Sequence, residues 1–406
     1  MTSRGRSSPA RSDGADAVVR IEKVVAEGDG LARLEDGRVV FVEGALPEET
    51  VRIRLTRQSR DYARAEISEI LDPHPERREP PCRYVRRGCG GCDMQHASLG
   101  LQWRIKRDIV VESLERLGRI VDPQVRMVGV AAGDGPTAAR TTVRVIGDPD
   151  GRPGFRRRRS HDVVPVDHCL VLHGRLDEML PLLRLEPGCE AVLRCSASNA
   201  ERLAVTDPSA QSSGVPPDAA GRTMIRETVG GVDFTISAGS FFQSSPGAAE
   251  DLVAAVKAAL GDPSLWIPGP VVDAYGGVGL LSAAAVPAER EVVIVESSES
   301  SCGDAAVNLS GRRARIVCSV VEAWEPEPAA AVIADPPRDG LRAAAVDVLA
   351  ATGTPILVLV SCDPASLGRD ARLLEAAGYR FVDAQVLGAF PHTHHVETVS
   401  RFEKRP

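Results

Sequence analysis

Three carboxylates and one cysteine stand directly at the ends of apolar stretches in the C-terminal part of the chain. Asp273, Glu296, Asp335 and Cys362 end or follow the stretches PVVDAY, EVVIVE, AAVIADPP and PILVLVSCD. Ligands of open α/β sheets bind beyond the carboxyl ends of the strands. Because polar residues without a shared role would be spread evenly along a sheet, this coincidence predicts a cofactor site with Cys362 beside it.

The turn after the first of these strands is rich in glycine. It reads DAYGGVG from Asp273 to Gly279, and a backbone that closely approaches a ligand needs residues without a Cβ. The dinucleotide-binding fingerprint GxGxxG is incomplete here, because Ser282 occupies its third glycine position. The sequence also contains no phosphate-binding P-loop motif, GxxxxGK[ST]. Glu296 follows 23 residues after Asp273, where an acid usually accepts hydrogen bonds from ribose hydroxyls.

A second group of reactive side chains lies earlier in the chain. Cys82, Cys89 and Cys92 fall within eleven residues, and Cys169 is the one plausible later partner. Thiolates bind both zinc and iron–sulfur clusters, so both remain open at this point. Six residues separate the first two cysteines, whereas radical S-adenosylmethionine enzymes need three. Nine cysteines without an export signal indicate a reducing, cytoplasmic compartment rather than a disulfide framework.

The elements that must position these groups predict an α/β protein of three parts: an OB-like β-barrel, a central α+β domain and a Rossmann-like domain. Residues 17–71 alternate polar and apolar positions between glycine turns, which predicts a small OB-like barrel. Residues 72–235 begin with a Pro-rich linker (72–82), continue with a helix from Leu101 to Gly118, and include a Ser/Pro/Gly loop over 206–222. Residues 236–406 alternate strands and helices, typical of a parallel sheet covered by helices, and end in an antiparallel hairpin at the sheet's edge.

Composition excludes several classes of protein. Hydrophobic residues make up 43% and charged residues 26%, typical of a soluble globular chain, and no apolar run approaches the ~20 residues of a membrane span. Residues 1–16 are polar and are predicted to be a disordered leader. The net charge is −7, but residues 1–180 carry a small basic excess that is densest at Arg156–Arg159. We expect a monomer with no membrane contact.

Several motifs together resemble a known family. The C-terminal part resembles the class I S-adenosylmethionine-dependent methyltransferases, and more narrowly the RNA uracil-5-methyltransferases. Residues 17–71 resemble the TRAM domain, an RNA-binding barrel that many members carry, and the likeness extends over residues 17–402. The matching segments are GSFFQSSP, DAYGGVGLLS, the strand-end Glu296, IADPPRDG, VSCDPASLGRD and FPHTHHVETV.

The resemblance implies a role for each matched residue. Cys362 is the nucleophile that adds to C6 of uracil, and Glu397 is the base that removes the C5 proton. The residues implied to contact S-adenosylmethionine are Gln243, Tyr275, Glu296 and Asp335. Part of the family carries a 4Fe-4S cluster on a similar cysteine segment, which implies a structural cluster on Cys82, Cys89, Cys92 and Cys169, with zinc as the alternative.

The chain departs from the family pattern at three positions. Gly276, Asp363 and Ser245 stand where members often have Cys, Asn and Asn. None of these changes removes a group from the implied reaction. Cys362 also precedes the predicted helix PASLGRD, whose N-terminus is expected to favour a thiolate.

RNA is the implied partner, and ribosomal RNA is favoured over the T-loop of transfer RNA. A uracil base must be single-stranded or extruded for this chemistry, and phosphates are bound by basic side chains. For each candidate arginine named below, the alternative role is a salt bridge within the protein. For the chain as a whole, the alternative function is that of a noncatalytic RNA-binding protein. His392, His394 and His395 are predicted to pack or to contact substrate rather than bind metal. The candidate arginines are Arg86, Arg87, Arg140, Arg144 and Arg156–Arg159.

Overall fold

The computed structural model describes residues 16–129, 139–206 and 211–406. Residues 1–15 of the predicted leader and residues 207–210 of the predicted loop lie outside this description. Within the described ranges, no helix combines the length and the apolar character needed to cross a membrane.

The N-terminal part is a single six-stranded sheet. Its alternating sequence places one set of side chains, including Val40, Val42 and Ile53, in a core of their own. The strands hydrogen-bond in the order β1-β5-β6-β4-β3-β2, one strand more than the five or so that the sequence indicates. They are β1 (Asp16–Arg20), β2 (Lys23–Val24), β3 (Gly30–Arg33), β4 (Val39–Glu43), β5 (Thr50–Gln58) and β6 (Tyr62–Asp72).

The central part combines one helix of five turns with short strands. The predicted helix is present as α2, and Ser98 caps it by accepting a hydrogen bond from the backbone N–H of Leu101. The main sheet has the order β10-β9-β8-β12-β13, and β11 pairs with β14 and β15 with β16. The elements are α1 (Arg83–Arg86), α2 (Leu99–Arg116), β7 (Val125–Val128), β8 (Thr142–Gly147), β9 (Pro153–Arg156), β10 (Val163–Pro165), α3 (Gly174–Asp177), β11 (Arg184–Leu185), β12 (Glu190–Cys195), β13 (Arg202–Thr206), β14 (Ser212–Ser213), β15 (Met224–Val229) and β16 (Val232–Ser237).

The C-terminal part confirms the predicted Rossmann-like sheet. Eight strands lie in the order β19-β18-β17-β20-β21-β23-β22-β7; the first five are parallel, and β23 runs antiparallel to β21. Short 3₁₀ helices cover Pro263–Leu265 and Val321–Ala323. The other elements are α4 (Pro246–Leu260), β17 (Val271–Ala274), α5 (Leu280–Ala284), β18 (Val292–Glu296), α6 (Glu299–Asn308), β19 (Ala314–Cys318), β20 (Ala331–Ala334), α7 (Arg342–Ala351), β21 (Ile356–Ser361), α8 (Pro364–Ala376), β22 (Tyr379–Leu387) and β23 (Glu397–Lys404).

The final hairpin is not at the edge of this sheet, contrary to the sequence-based expectation. Strand β7 pairs in parallel with β22, so β22 is covered by a strand from the region between 72 and 235. Helix α2 also packs against the C-terminal part, because its residues Val110 and Leu114 are buried in the same core as Leu367 of α8. The division of the chain at residues 71 and 235 stays a prediction.

Candidate functional site

Strand register brings Cys362 and Glu397 together. Strands β21 and β23 pair antiparallel with Ser361 opposite Thr398. Cys362 follows the first of these residues and Glu397 precedes the second, so the two side chains meet at one end of adjacent strands. Both line a cavity of about 740 Å³ at the carboxyl ends of the parallel strands.

The Cys362 thiol is not held as a thiolate by its helix, contrary to the sequence-based expectation. Burial, together with the nearby carboxyls of Glu397 and Asp335, raises the pKa of Cys362 to about 11. Helix α8 begins just after this cysteine, but its first turn is already capped. Asp363 Oδ1 accepts a hydrogen bond from the backbone N–H of Ser366 at 2.7 Å. That carboxylate takes the position where the helix would otherwise favour a negative sulfur.

Glu397 is a buried acid at the same end of the cavity. Its side chain is 5% exposed, and burial together with the charge of Asp335 raises its pKa well above the ordinary value. A raised pKa makes the ionised carboxylate a stronger base. This is the property that proton removal from carbon requires.

Arg338 is a site residue that the sequence analysis did not assign. It follows Asp335-Pro336-Pro337 after β20, lines the same cavity, and its cationic charge lowers the pKa of both Cys362 and Glu397. In the sequence, the feature that could have identified Arg338 is its position in the motif that follows β20. Near a thiol and a carboxyl that burial keeps protonated, this guanidinium favours the charged form of each.

Two of the residues expected to hold the cofactor, Tyr275 and Glu296, lie in or bond to the glycine-rich turn after β17. The Glu296 carboxylate accepts hydrogen bonds from the backbone N–H of Gly277 at 3.0 Å and of Ser298 at 2.7 Å. Tyr275 has φ 60°, an uncommon conformation for a non-glycine residue that marks functional turns. The structure gathers all six predicted catalytic and cofactor residues around one cavity, since Gln243, Tyr275, Glu296 and Asp335 line it together with Cys362 and Glu397.

Two acids, Asp273 and Asp335, line a smaller cavity beside Tyr275. Asp273 is fully buried, and its Oδ2 accepts hydrogen bonds from the backbone N–H and the hydroxyl of Ser282 at 3.1 and 2.7 Å. Burial raises the pKa of Asp273 to about 6. Burial and the charge of Asp273 raise the pKa of Asp335 to about 7. A cation placed beside Asp335 would stabilise the ionised form of both carboxyls and so lower both pKa values.

The departures at positions 276 and 363 have local explanations. A Cβ at Gly276 would lie 2.9 Å from Cγ2 of Ile294 and 3.0 Å from the carbonyl oxygen of Asp273. Glycine therefore suits the packing of this turn. Asp363 caps α8, a role that Asn fills equally well. Ser245 stands at the N-cap of α4 without a side-chain capping bond.

The four predicted metal-binding cysteines surround a second cavity. Cys82, Cys89, Cys92 and Cys169 line one space of about 240 Å³ in the central part. Burial raises the pKa of Cys92 to about 12 and of Cys169 to about 11. Among the described residues, no group of three or more His, Cys, Asp or Glu side chains is arranged to hold a metal ion.

The three histidines are arranged for packing and cavity lining. His395 lines the catalytic cavity, and burial with the neighbouring His394 lowers its pKa to about 4, so its ring is neutral. His394 forms a hydrogen bond with Asp93, and His392 is buried beside Gln102.

Most of the candidate RNA-binding arginines form ion pairs. Arg158 and Arg159 reach Asp29 of the N-terminal part at 3.0 and 2.5 Å, so they join two parts of the chain. These ion pairs favour the alternative salt-bridge role for the two side chains. Arg87 stacks over Tyr84, and Arg140 lines the cysteine cavity. The remaining pairs are Arg86 with Glu79, and Arg144 and Arg156 with Glu190.

Comparison with known proteins gives consistent results. The TRAM domain family matches residues 14–68. A 23S rRNA (uracil(1939)-C(5))-methyltransferase RlmD from Chromohalobacter salexigens is 33% identical over 98% of this chain and 91% of its own length. An uncharacterised RNA methyltransferase from Streptomyces avermitilis is 33% identical over 96% of this chain and 98% of its own.

A solved structure shares the fold along most of the chain. It is the Pyrococcus abyssi tRNA (uracil-54, C5)-methyltransferase in complex with S-adenosyl-L-homocysteine, which superposes with a TM-score of 0.71. It is 23% identical and covers 95% of this chain and all of its own.

Proposed function

Because the chain belongs to the RNA uracil-5-methyltransferase family, we propose that it methylates C5 of a uridine in RNA with S-adenosylmethionine. The observation that carries the proposal is the meeting of Cys362 and Glu397 in a cavity shared with the cofactor residues. A nucleophile and a base that lie close to one flat ring can act on its adjacent carbons in turn. The cavity joins them to Glu296, which is suited to the ribose of the cofactor.

The reaction begins with a covalent bond from the protein. The Cys362 thiolate adds to C6 of uracil, and the ring electrons move to O4, which makes C5 nucleophilic. When bound, S-adenosylmethionine supplies an electrophilic methyl group on its sulfonium sulfur. C5 takes the methyl group as its bond to the sulfonium sulfur breaks, which leaves S-adenosylhomocysteine as a neutral thioether. Glu397 removes the C5 proton, and the electron pair left behind expels the Cys362 sulfur from C6.

The charges around the cavity suit this order of events. The Glu397 carboxyl raises the pKa of Cys362, so the two negative charges oppose each other. Once sulfur is bonded to C6 it is a neutral thioether, and that repulsion ends. Glu397 can then ionise at the stage where a base is needed, with Arg338 favouring the charged form.

Trapping the intermediate tests this proposal. Glu397→Gln keeps the size of the side chain but not its basicity, so methylation should occur while elimination stops. With methyl-labelled S-adenosylmethionine and RNA, the variant should give a labelled protein–RNA band on a denaturing gel. Adding Cys362→Ala should remove that band, and Cys362→Ala alone should fall below about a thousandth of the wild-type rate.

A matched control lies on the same strand. Glu403→Gln changes an acid near the other end of β23 that is ion-paired with Arg380 and Arg401. It should turn over normally without a trapped band. Wild-type turnover by Glu397→Gln without an adduct would assign the base to another group.

Ribosomal RNA is the proposed substrate class, supported by the name of the Chromohalobacter relative. The alternative is a transfer RNA T-loop. Mass mapping of 5-methyluridine in total RNA from a deletion strain distinguishes the two, because the modification should disappear from one RNA only. The cytoplasmic location and the monomeric state stay predictions.

We further propose that Cys82, Cys89, Cys92 and Cys169 hold a 4Fe-4S cluster. All four cysteines line one space of about 240 Å³. Zinc remains the alternative metal for the same thiolates. Buried thiols that resist ionisation need a strong positive charge in their midst to be stable as thiolates, which a cluster supplies.

A further inference from the structure

One wall of the catalytic cavity is a loop rather than a strand. Residues 388–396, here called the wall loop, connect β22 to β23 and end next to Glu397. Phe390 and His395 of this loop line the cavity, with ring centroids 6.1 Å apart and planes at 79°. Their position therefore helps to determine where a flat substrate ring can lie relative to Cys362.

The wall loop is held by a carboxylate from a distant part of the chain. Asp93 Oδ1 accepts a hydrogen bond from the backbone N–H of His394 at 2.9 Å, and Asp93 Oδ2 lies 2.5 Å from His394 Nδ1. The His394 ring in turn contacts the His395 ring, with centroids 4.3 Å apart. Asp93 thus fixes both the backbone and the ring that support His395.

Helix α2 and the residues before it hold the rest of the loop. Gln102 Oε1 accepts a hydrogen bond from the backbone N–H of His392 at 2.7 Å, and the His392 carbonyl accepts one from the N–H of Met94 at 2.9 Å. Lys106 Nζ donates to the carbonyl of Phe390 at 2.6 Å. All of these contacts come from the short segment 93–106, which directly follows the cysteine motif.

The N-terminal part of the chain also packs against the wall loop. A Cβ at Gly28 would lie 2.9 Å from Cβ of His394, so the loop packs against this turn of the six-stranded sheet. Arg158 Nη2 stands 3.0 Å from Asp29 Oδ1 and 3.9 Å from Asp93 Oδ2. Asp93 is therefore restrained on both sides, which gives it the rigidity that a positioning group needs.

We propose that Asp93 is a positioning residue for methyl transfer, acting through His394 on the cavity wall formed by His395 and Phe390. The proposal rests on the proposed function. Asp93 does not line the catalytic cavity, so it does not act on substrate directly. Its contribution is to keep the substrate ring within reach of Cys362, where displacements near 1 Å cost about 100-fold in rate.

The chain offers a matched control for this carboxylate. Asp177 also bonds a histidine ring and a backbone N–H, those of His168 and Cys169, and it lies beside a predicted cluster ligand. It makes these contacts away from the wall loop. Asp93→Asn should lower the single-turnover rate of methyl transfer about 10- to 100-fold, whereas Asp177→Asn should leave it within twofold of wild type.

Four further measurements separate positioning from general damage. Iron content and the dissociation constant of S-adenosylmethionine should stay at wild-type values in Asp93→Asn, because the Asp93 side chain contacts His394 and Arg158 rather than the cysteines or the residues expected to hold the cofactor. His394→Ala should show a similar loss of rate. The double variant should be no slower than the slower single variant, because both changes break one connection.

The outcomes that overturn the proposal are specific. A wild-type rate in Asp93→Asn, an equal loss in Asp177→Asn, or a double variant whose loss is the product of the single losses would each refute it. If Asp93→Asn does not fold, His394→Ala, which retains the carboxylate, decides by the same rate and binding measurements. A wild-type protein without methyl transfer would refute the proposed function instead.

Discussion

The neighbouring acids Asp273 and Asp335 predict that cofactor binding depends on pH. Burial and the charge of Asp273 raise the pKa of Asp335 to about 7, so much of this carboxyl is protonated near neutrality. S-adenosylmethionine carries a positive sulfonium, which the ionised carboxylate attracts and the neutral acid does not. The cofactor should therefore bind more tightly as pH rises, and its binding should release a proton.

The size of the effect follows from the pKa. With a value near 7, the ionised fraction of Asp335 rises from ~0.03 at pH 5.5 to ~0.5 at pH 7, so the apparent affinity should increase ~15-fold. The range stops below the pKa of the cofactor's own amino group, which is about 8. Dissociation constants measured across this range, together with calorimetry in two buffers to count protons, check the prediction.

Three variants assign the pH dependence. Asp335→Asn should bind weakly and with nearly constant affinity, because the titrating group is gone. Asp273→Asn should move the midpoint to lower pH, because the charge that raises the pKa of Asp335 is removed. Asp347→Asn, an exposed acid on α7, should behave as wild type. A flat wild-type profile, or a full pH dependence in Asp335→Asn, would refute this reasoning.

Two further predictions concern the thiols. Arg338→Gln should move the pH profile of adduct formation at Cys362 to higher pH, because a cation that lowers the thiol pKa is lost; an unchanged profile in rapid-quench measurements would contradict this. Anaerobically purified protein should be brown with about four irons per chain. Cys82→Ser should lose iron while Cys318→Ser, an exposed cysteine outside the cavity, keeps it, and a colourless protein with stoichiometric zinc would favour the alternative metal.

The catalytic end of the sheet could be predicted because its signals are local. Each parallel strand is a short apolar run that ends in a polar residue, and the carboxyl ends of parallel strands share one edge. This is why Asp335 and Cys362 could be placed together before the fold was known. Glu397 depended on the family motif, since only the register of β23 against β21 brings it opposite Cys362.

The contacts that were missed join residues far apart in the chain. Strand β7 has four residues and no distinctive pattern, yet it extends the C-terminal sheet beyond β22. Arg158 belongs to a run that resembles a phosphate-binding patch, and its pairing with Asp29 across about 130 residues leaves no trace in either segment. Charge runs alone do not reveal whether an acidic partner from another part of the fold neutralises them.

The error about Cys362 has a different origin. A cysteine before a helix is expected to be acidic because the helix N-terminus favours negative charge. Here Asp363 caps the helix, and two acids, Asp335 and Glu397, stand beside the sulfur. Arg338 offsets their effect only in part, because the pKa of the thiol stays raised in its presence. We expect the positive sulfonium of bound S-adenosylmethionine to offset these acids further, so that binding of the cofactor favours ionisation of Cys362.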